Sequence, residues 1–259
     1  MSQCALSVSG LSKRFGGLTA VNNVSLQLAT GALHAVIGPN GAGKSTLINL
    51  LSGDILPSGG NIHLHGREIT SLSPQQRSQL GIGRSYQKTN IFGAFSTLEN
   101  CRLAAQSREP HAFNPFRPAS YYRSIVQAAE QALEAVGLQH RAGVTAATLS
   151  HGEQRQLEIA MSLATRPQVL LLDEPLAGMG AEEAASMVRL LQQISQTHAV
   201  LLVEHDMDAV FALAQTLTVM VNGNILESGT PEQIRNSPQV QRAYLGSEDD
   251  GAAEEKLHG

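Results

Sequence analysis

Tryptophan is absent from this chain and aromatic residues make up only 4% of it, so the stacking platforms that hold single-stranded nucleic acid have little to be built from. A positive field is missing as well. With 18 basic and 22 acidic residues the net charge is −4, and no nucleic-acid partner is expected. Cysteine is nearly lacking: Cys4 and Cys101 stand far apart with no C-x-x-C, which favours reduced thiols over a disulfide or zinc framework. Long apolar runs are lacking too. Stretches such as Ala199 to Val203 are far too short to cross a bilayer, and nothing at the N-terminus reads as a signal peptide. Any membrane role is therefore expected to pass through a partner.

What remains is a chain of 259 residues, 42% hydrophobic, able to bury one good core, or one core with an appended subdomain. Its organising stretch is Gly38-Pro39-Asn40-Gly41-Ala42-Gly43-Lys44-Ser45-Thr46, which fits the phosphate-binding spacing G-x-x-x-x-G-K-[ST]. The apolar run Leu33 to Ile37 before it reads as a buried strand, and Thr46 to Leu51 after it as a helix. A loop so placed wraps a polyphosphate when glycines let its N–H groups turn inward. Lys44 then adds a charge beside the phosphates and Ser45 a hydroxyl for Mg²⁺. Chance alone gives the pattern in roughly one chain of this length in a hundred, before the strand and helix are required.

Upstream, Ala5 to Leu11 and Val24 to Leu28 read as strands of a β-rich lead-in, with Lys13-Arg14-Phe15-Gly16-Gly17 between them. From composition alone Phe15 reads more readily as ordinary core than as a ring stacked on a purine. Downstream, His63 and His65 sit at i, i+2 on a predicted strand, and with no third ligand they read as solvent-facing rather than metal-binding. Gly81 to Gln87 reads as a strand that leaves Gln87 at its end, where an amide can face a metal ion and a water.

From about 88 to 147 the alternation of strand and helix gives way to helices, Thr97 to Gln106 and Ser120 to Val136, the second with the stripe Ile125, Ala129, Ala132, Leu133 and Val136. The loop from Glu109 to Pro118, with three prolines, Phe113 and Phe116, suits docking to another protein or a plain surface role. Ser150 and Glu153 then form a capping box that opens a helix through Ala164, and its exposed start is a second anion site. Val169 to Leu172 reads as a buried strand with Asp173 and Glu174 at its carboxyl end, where α/β sheets bind ligands. Asp173 suits the Mg²⁺ shell and Glu174 the polarising of a water. The strand Ala199 to Val203 brings His205 to the same rim, Val221 to Asn224 signals a hairpin, and Thr230 to Gln233 starts a capped helix. Five acids (Glu248, Asp249, Asp250, Glu254, Glu255) crowd the end of the chain, a solvated tail.

Phe15, Gly38 to Thr46, Gln87, Leu149 to Gln154, Val169 to Glu174 and His205 resemble, in order, the A-loop, Walker A, Q-loop, signature, Walker B and H-loop of an ABC-type ATPase. The resemblance implies an α/β P-loop NTPase cassette over residues 4–246, with an N-terminal antiparallel β subdomain and an inserted helical subdomain at about 88–147, ahead of a disordered acidic tail at 247–259. It implies ATP and Mg²⁺ as cofactors, and two cassettes, identical or different, closing head to tail on each nucleotide. In that scheme Phe15 stacks on adenine, and the loop and Lys44 hold phosphates. Ser45, Gln87 and Asp173 hold the metal, Glu174 is the general base, and His205 contacts the γ-phosphate. Ser150, Gly152 and Glu153 serve the partner's nucleotide. Three positions depart from the usual pattern: His151 and Glu153 in the signature, and Leu176 to Gly180, a D-loop without its common aspartate. An acid at 153 is repulsive to a γ-phosphate, so Ser150 and the helix dipole should matter more.

Gly83 to Gln87, Leu157 to Ala160, Ala177 to Met179, Val203 to Met207 and Tyr244-Leu245-Gly246 narrow the resemblance to the branched-chain amino acid importers, a group that includes urea and amide importers. The expectation is a peripheral ATPase on the cytoplasmic face of a bacterial inner membrane, beneath integral permeases fed by an external solute-binding protein. The alternatives are a urea or amide importer and a soluble ABC ATPase. Against the last, the interval between Walker A and signature lacks the sustained heptads of a repair-type coiled coil.

Overall fold

The computed structural model describes residues 4–85, 90–108 and 123–243. The two lead-in segments lie in long antiparallel strands, β1 (Cys4–Phe15) and β2 (Leu18–Ala29), that turn at Gly16-Gly17. Alternation has its ordinary consequence here: Val24, Leu26 and Leu28 are buried while Ser25 and Gln27 between them are exposed. The apolar run after them is β3 (Leu33–Ile37), buried along its whole length, and the phosphate loop then leads into α1 (Lys44–Ser52). Strands β4 (Gly59–Leu64) and β5 (Arg67–Glu68) return to the lead-in and complete a sheet in the order β2-β1-β4-β5. His63 and His65 do not share a strand face, because β4 ends at Leu64 and His65 turns the chain with φ 48°.

A capping box at Ser73 and Gln76 starts α2 (Pro74–Leu80), whose Arg77 is fully buried. Its guanidinium donates to the carbonyls of Leu50 (2.6 Å) and Leu51 (2.9 Å) at the end of α1, and to those of Thr70 and Leu72. Burial pulls Arg77 down to about 10, against the opposing charge of Asp54, so it remains a cation at neutral pH. Strand β6 (Ile82–Arg84) follows, and Tyr86 and Gln87 lie outside the described residues.

The helical interval holds α3 (Thr97–Gln106) and α4 (Arg123–Ala135), and α5 (His151–Ala164) follows it. Ile125, Ala129, Ala132, Leu133 and Val136 are all buried, whereas Met161 on the α5 stripe is only half-buried. The proline-rich loop 109–118, with Phe113 and Phe116, lies outside the described residues, as do Tyr244 to Gly246 and the acidic tail. The chain then runs β7 (Val169–Asp173), α6 (Ala181–Ser195), β8 (Ala199–Val203), α7 (Met207–Leu213), β9 (Thr216–Val221), β10 (Asn224–Gly229) and α8 (Pro231–Arg235). Thr230 and Gln233 make the capping box of α8, and Asn222 (φ 48°) and Gly223 (φ 78°) turn the hairpin.

The second sheet runs β10-β9-β3-β8-β7-β6, with β3, β6, β7, β8 and β9 parallel. Alternate residues of its central strands enter two cores: Ile37, Leu170, Leu172 and Leu202 pack with the helical interval and α6, while Val36, Leu171, Leu201 and Val203 pack with α1 and the antiparallel sheet. Each such side chain contributes about 2 kcal/mol by leaving water. The sheet is thus fixed from both sides, and its carboxyl edge, where β3, β7 and β8 end, holds a fixed outline.

Candidate nucleotide-binding site

The phosphate loop is clamped before any ligand is considered. Gly38 (φ 153°) passes so close to the Met220 carbonyl, and Gly43 (φ 100°) to the Ala20 carbonyl, that a Cβ at either would collide with backbone. Gly223 also donates its N–H to the Ala42 carbonyl at 3.0 Å. Helix α1 starts at Gly43 with no side-chain cap, so its first N–H groups and dipole are left for an anion. Lys44 is 7% exposed, and its ammonium donates to the carbonyls of Gly38 (2.7 Å) and Pro39 (3.0 Å). Burial lowers the Lys44 pKa, while the charges of Glu174 and Asp173 act to raise it.

At the end of β7, Asp173 is 4% exposed and its Oδ1 is buried without a hydrogen-bond partner among the described residues. Burial raises its carboxyl, which Arg84 opposes; Glu174 adds to the rise and Lys44 counters it. Glu174 takes a left-handed backbone, φ 49°, with its N–H on the Val203 carbonyl at 2.9 Å, which turns its carboxylate toward the loop instead of along the strand. The Nδ1 of His205 stands 3.9 Å from Glu174 Oε1 and 3.7 Å from Glu204 Oε2, beyond hydrogen-bond range.

Glu204 had no role assigned from sequence, yet it is 1% exposed and organises the rim. It accepts the N–H of Leu176 at 2.8 Å and that of His205 at 3.1 Å, tying the segment after β7 to the end of β8. Burial raises its carboxyl and these N–H groups hold it down. The signal was its place immediately after an apolar strand, the same place Asp173 and Glu174 hold.

Together these elements frame an open cleft of about 700 Å³ lined by Phe15, Asn40, Gly41, Ala42, Gly43, Lys44, Ser45, Thr46 and Glu174, with Asn222 and Gly223 of the hairpin. Gly38 and Pro39 lie beneath Lys44, Asp173 is buried at the end of its strand, and His205 stands at the rim. Phe15 is 48% exposed, so the core reading that composition favoured is wrong. Its Lys13 neighbour holds an ammonium 5.1 Å from the ring centroid. Gln87 lies outside the described residues. Ser150, Gly152 and Glu153 are not in this cleft. They line a separate recess of about 130 Å³ between α5 and α6.

In that recess Ser150 caps α5, and Glu153 returns the contact by accepting the Ser150 N–H at 2.9 Å. The other Glu153 oxygen takes the Arg141 Nε at 2.8 Å. The Ser150 hydrogen bond and then Arg141 hold the Glu153 carboxyl below its ordinary value, against a partial burial penalty. The charge expected to repel a phosphate is therefore balanced by a cation that spacing did not point to. His151 is turned away, its Nε2 3.2 Å from the Ala177 carbonyl.

The sequence pattern described as ABC transporter matches residues 21–177, more than half of the chain. The chain belongs to the ABC transporter family. It is the ATP-binding, ATP-hydrolysing part of such a transporter, an α/β cassette with an antiparallel sheet beside the parallel one. A second pattern, branched-chain amino acid ATP-binding cassette transporter, matches residues 225–250. Among curated relatives, this cassette is 41% identical to LivG of Escherichia coli over 253 residues, covering 95% of this chain and 99% of LivG. It is 42% identical to BraF of Pseudomonas aeruginosa over 254 residues, with 95% and 99% covered. Both are named high-affinity branched-chain amino acid transport ATP-binding proteins. Among solved structures it resembles a nucleotide-free ABC transporter cassette (29% identity, TM-score 0.80, 93% and 98% covered) and one in its ADP conformation (27%, 0.81, 94% and 99%). Among the described residues, no helix of this ABC cassette is long and apolar enough to cross a membrane.

Proposed function

We propose that this cassette powers an importer of branched-chain amino acids from the cytoplasmic face of a bacterial inner membrane. It sits there as a peripheral subunit beneath integral permeases that an external solute-binding protein feeds. The cargo reading rests on similarity to LivG and BraF, whose names state it. Residues 4–246 act as one cassette with a helical subdomain at about 88–147, and 247–259 as a solvated acidic tail.

The observation that carries the mechanism is that the cleft and the signature recess share no lining residue. Each recess is therefore completed by the nucleotide of a second ATPase subunit, as a head-to-tail pair requires. In the cleft, Phe15 stacks on adenine, the residues from Gly38 to Thr46 surround the phosphates, and Lys44 exchanges loop carbonyls for phosphate oxygens. The orphaned Asp173 oxygen and the Ser45 hydroxyl are hard donors of the kind Mg²⁺ takes, with Gln87 as a third ligand. When bound, Mg²⁺ neutralises charge on the β- and γ-phosphates. Glu174 takes the proton of the attacking water, and His205 contacts the γ-phosphate and that water. Ser150, Gly152 and Glu153 close over the partner's nucleotide.

The test is co-expression with the neighbouring permeases. Leucine, isoleucine and valine uptake should need this chain and be lost with Glu174→Gln, and membrane association should need the permeases. Uptake of urea alone, or binding of the purified chain to lipid vesicles without permeases, would contradict the reading.

A further inference from the structure

Glu183 lies on the first turn of α6, and nothing in the nucleotide cleft uses it. Its Oε1 accepts the Ser150 hydroxyl at 3.5 Å, and a Cβ built on Gly152 would stand 2.8 Å from the same oxygen. The carboxylate is thus pressed on the two signature residues assigned to a phosphate. A serine hydroxyl has one proton to donate, and here it goes to Glu183 while the serine oxygen accepts the Glu153 N–H. The two acids of the recess also differ in how their charge is met. Glu153 is balanced by Arg141, while Ser150 is the polar partner of Glu183 among the described residues. The α6 backbone beneath Glu183 is anchored by buried Met187, Leu190, Leu191 and Ile194, so the side chain is the part able to move.

We infer that Glu183 is a positioning residue of the composite site, a carboxylate that holds the signature serine and that the partner's phosphate must displace before two cassettes close. Closure then carries a threshold: a phosphate must take over the Ser150 proton and push aside a like charge. ADP, one phosphate shorter, is the poorer competitor. The inference rests on the two-subunit reading above and adds a residue that sets how much ATP closure requires.

The experiment uses the full chain carrying Glu174→Gln, with dimer measured by light scattering after size exclusion across an ATP titration in Mg²⁺. Adding Glu183→Gln should lower the ATP concentration at half-dimerisation about tenfold, with Glu183→Ala moving the same way as a check on folding. Adding Glu182→Gln, an equal charge change at an exposed neighbour, should move it less than about twofold. Binding of ATP to the monomer should be the same in all of these. An unchanged or higher midpoint with Glu183→Gln, or an equal shift with Glu182→Gln, overturns the inference while the two-subunit reading survives. Failure of the Glu174→Gln chain to dimerise at any ATP concentration overturns that reading and the inference with it.

Discussion

Helix α1 starts on Gly43, uncapped, with a buried lysine folded over the loop behind it; α5 starts on Ser150, capped by its own Glu153, with a second carboxylate against the serine. Both are helix N-termini and both carry the same partial positive charge. The first adds a full cation and backbone so constrained that glycine is required at Gly38 and Gly43. The second adds acids and no net cation, since Arg141 offsets Glu153 alone. On the two-subunit reading proposed above, the first site holds phosphate within a single chain and the second gains strength when another subunit delivers its ligand. Under that reading the difference would make hydrolysis depend on assembly.

The sharpest way to break the comparison is at the chemistry. Glu174→Gln should bind ATP and accumulate as a dimer while phosphate release falls more than about a hundredfold, about 3 kcal/mol of barrier. Next, Lys44→Met should weaken nucleotide binding to the monomer by about 2 kcal/mol, the loss of a charged hydrogen-bonding partner, whereas Ser150→Ala should leave monomer binding within about twofold and lower turnover roughly tenfold by uncapping α5. Equilibrium binding to a fluorescent ATP analogue separates the two. Equal losses of monomer binding would erase the distinction between the sites.

Smaller effects come from the acids. Arg141→Ala removes a half-exposed pair, so stability should fall by only about 0.5 kcal/mol, yet it leaves Glu153 uncompensated and should raise the ATP needed for dimerisation. Glu153 is held low, so its contribution is present above the ordinary carboxylate range and is lost as pH falls through the lowered value. Asp173 has the opposite sign. Its carboxyl is raised by burial, so the metal-free protein loses stability as pH climbs above about 4, the usual carboxylate value. Asp173→Asn should therefore raise the urea midpoint of the metal-free chain at pH 7, a gain that vanishes below about pH 4, and should remove the effect of Mg²⁺ on ATP binding.

Local signals were legible where one residue type decides one geometry. The capping boxes at Ser150 and Thr230, the phosphate loop, the Asn222-Gly223 turn and the strands β3 and β8 lie where their residues place them. Ser73-Pro74-Gln75-Gln76 carries the same box with the same chemistry and is equally legible. Helix α6 is not, because it starts on Gly180 with no side-chain cap and its apolar stripe begins only at Met187. The partners of the site were not legible at all. Arg141 meets Glu153 from twelve residues away from a short helical turn, and Glu204 just after β8 reaches Leu176 just after the neighbouring β7. Such pairings depend on which elements pack side by side, the turn at 139–141 against α5 and β7 beside β8, and that order is not written in the local pattern. Phe15 shows the reverse error: composition speaks for burial, but its position at the end of β1 puts the ring at the cleft.

Helix α1 has a further consequence. Its nine residues span about 14 Å, with the phosphate loop at the front and Arg77 bracing the carbonyls of Leu50 and Leu51 at the back. From its side, Asn49 and Ser52 hold the guanidinium of Arg84 at 2.7 Å each, and Asp54 completes the grip. Arg84 ends β6, three residues before Gln87. The helix is therefore a short stiff rod with the phosphate loop on one end and the approach to residue 87 bolted to the other. A displacement at the loop then has a direct path to that segment, along the axis of one helix and through the Arg84 contacts.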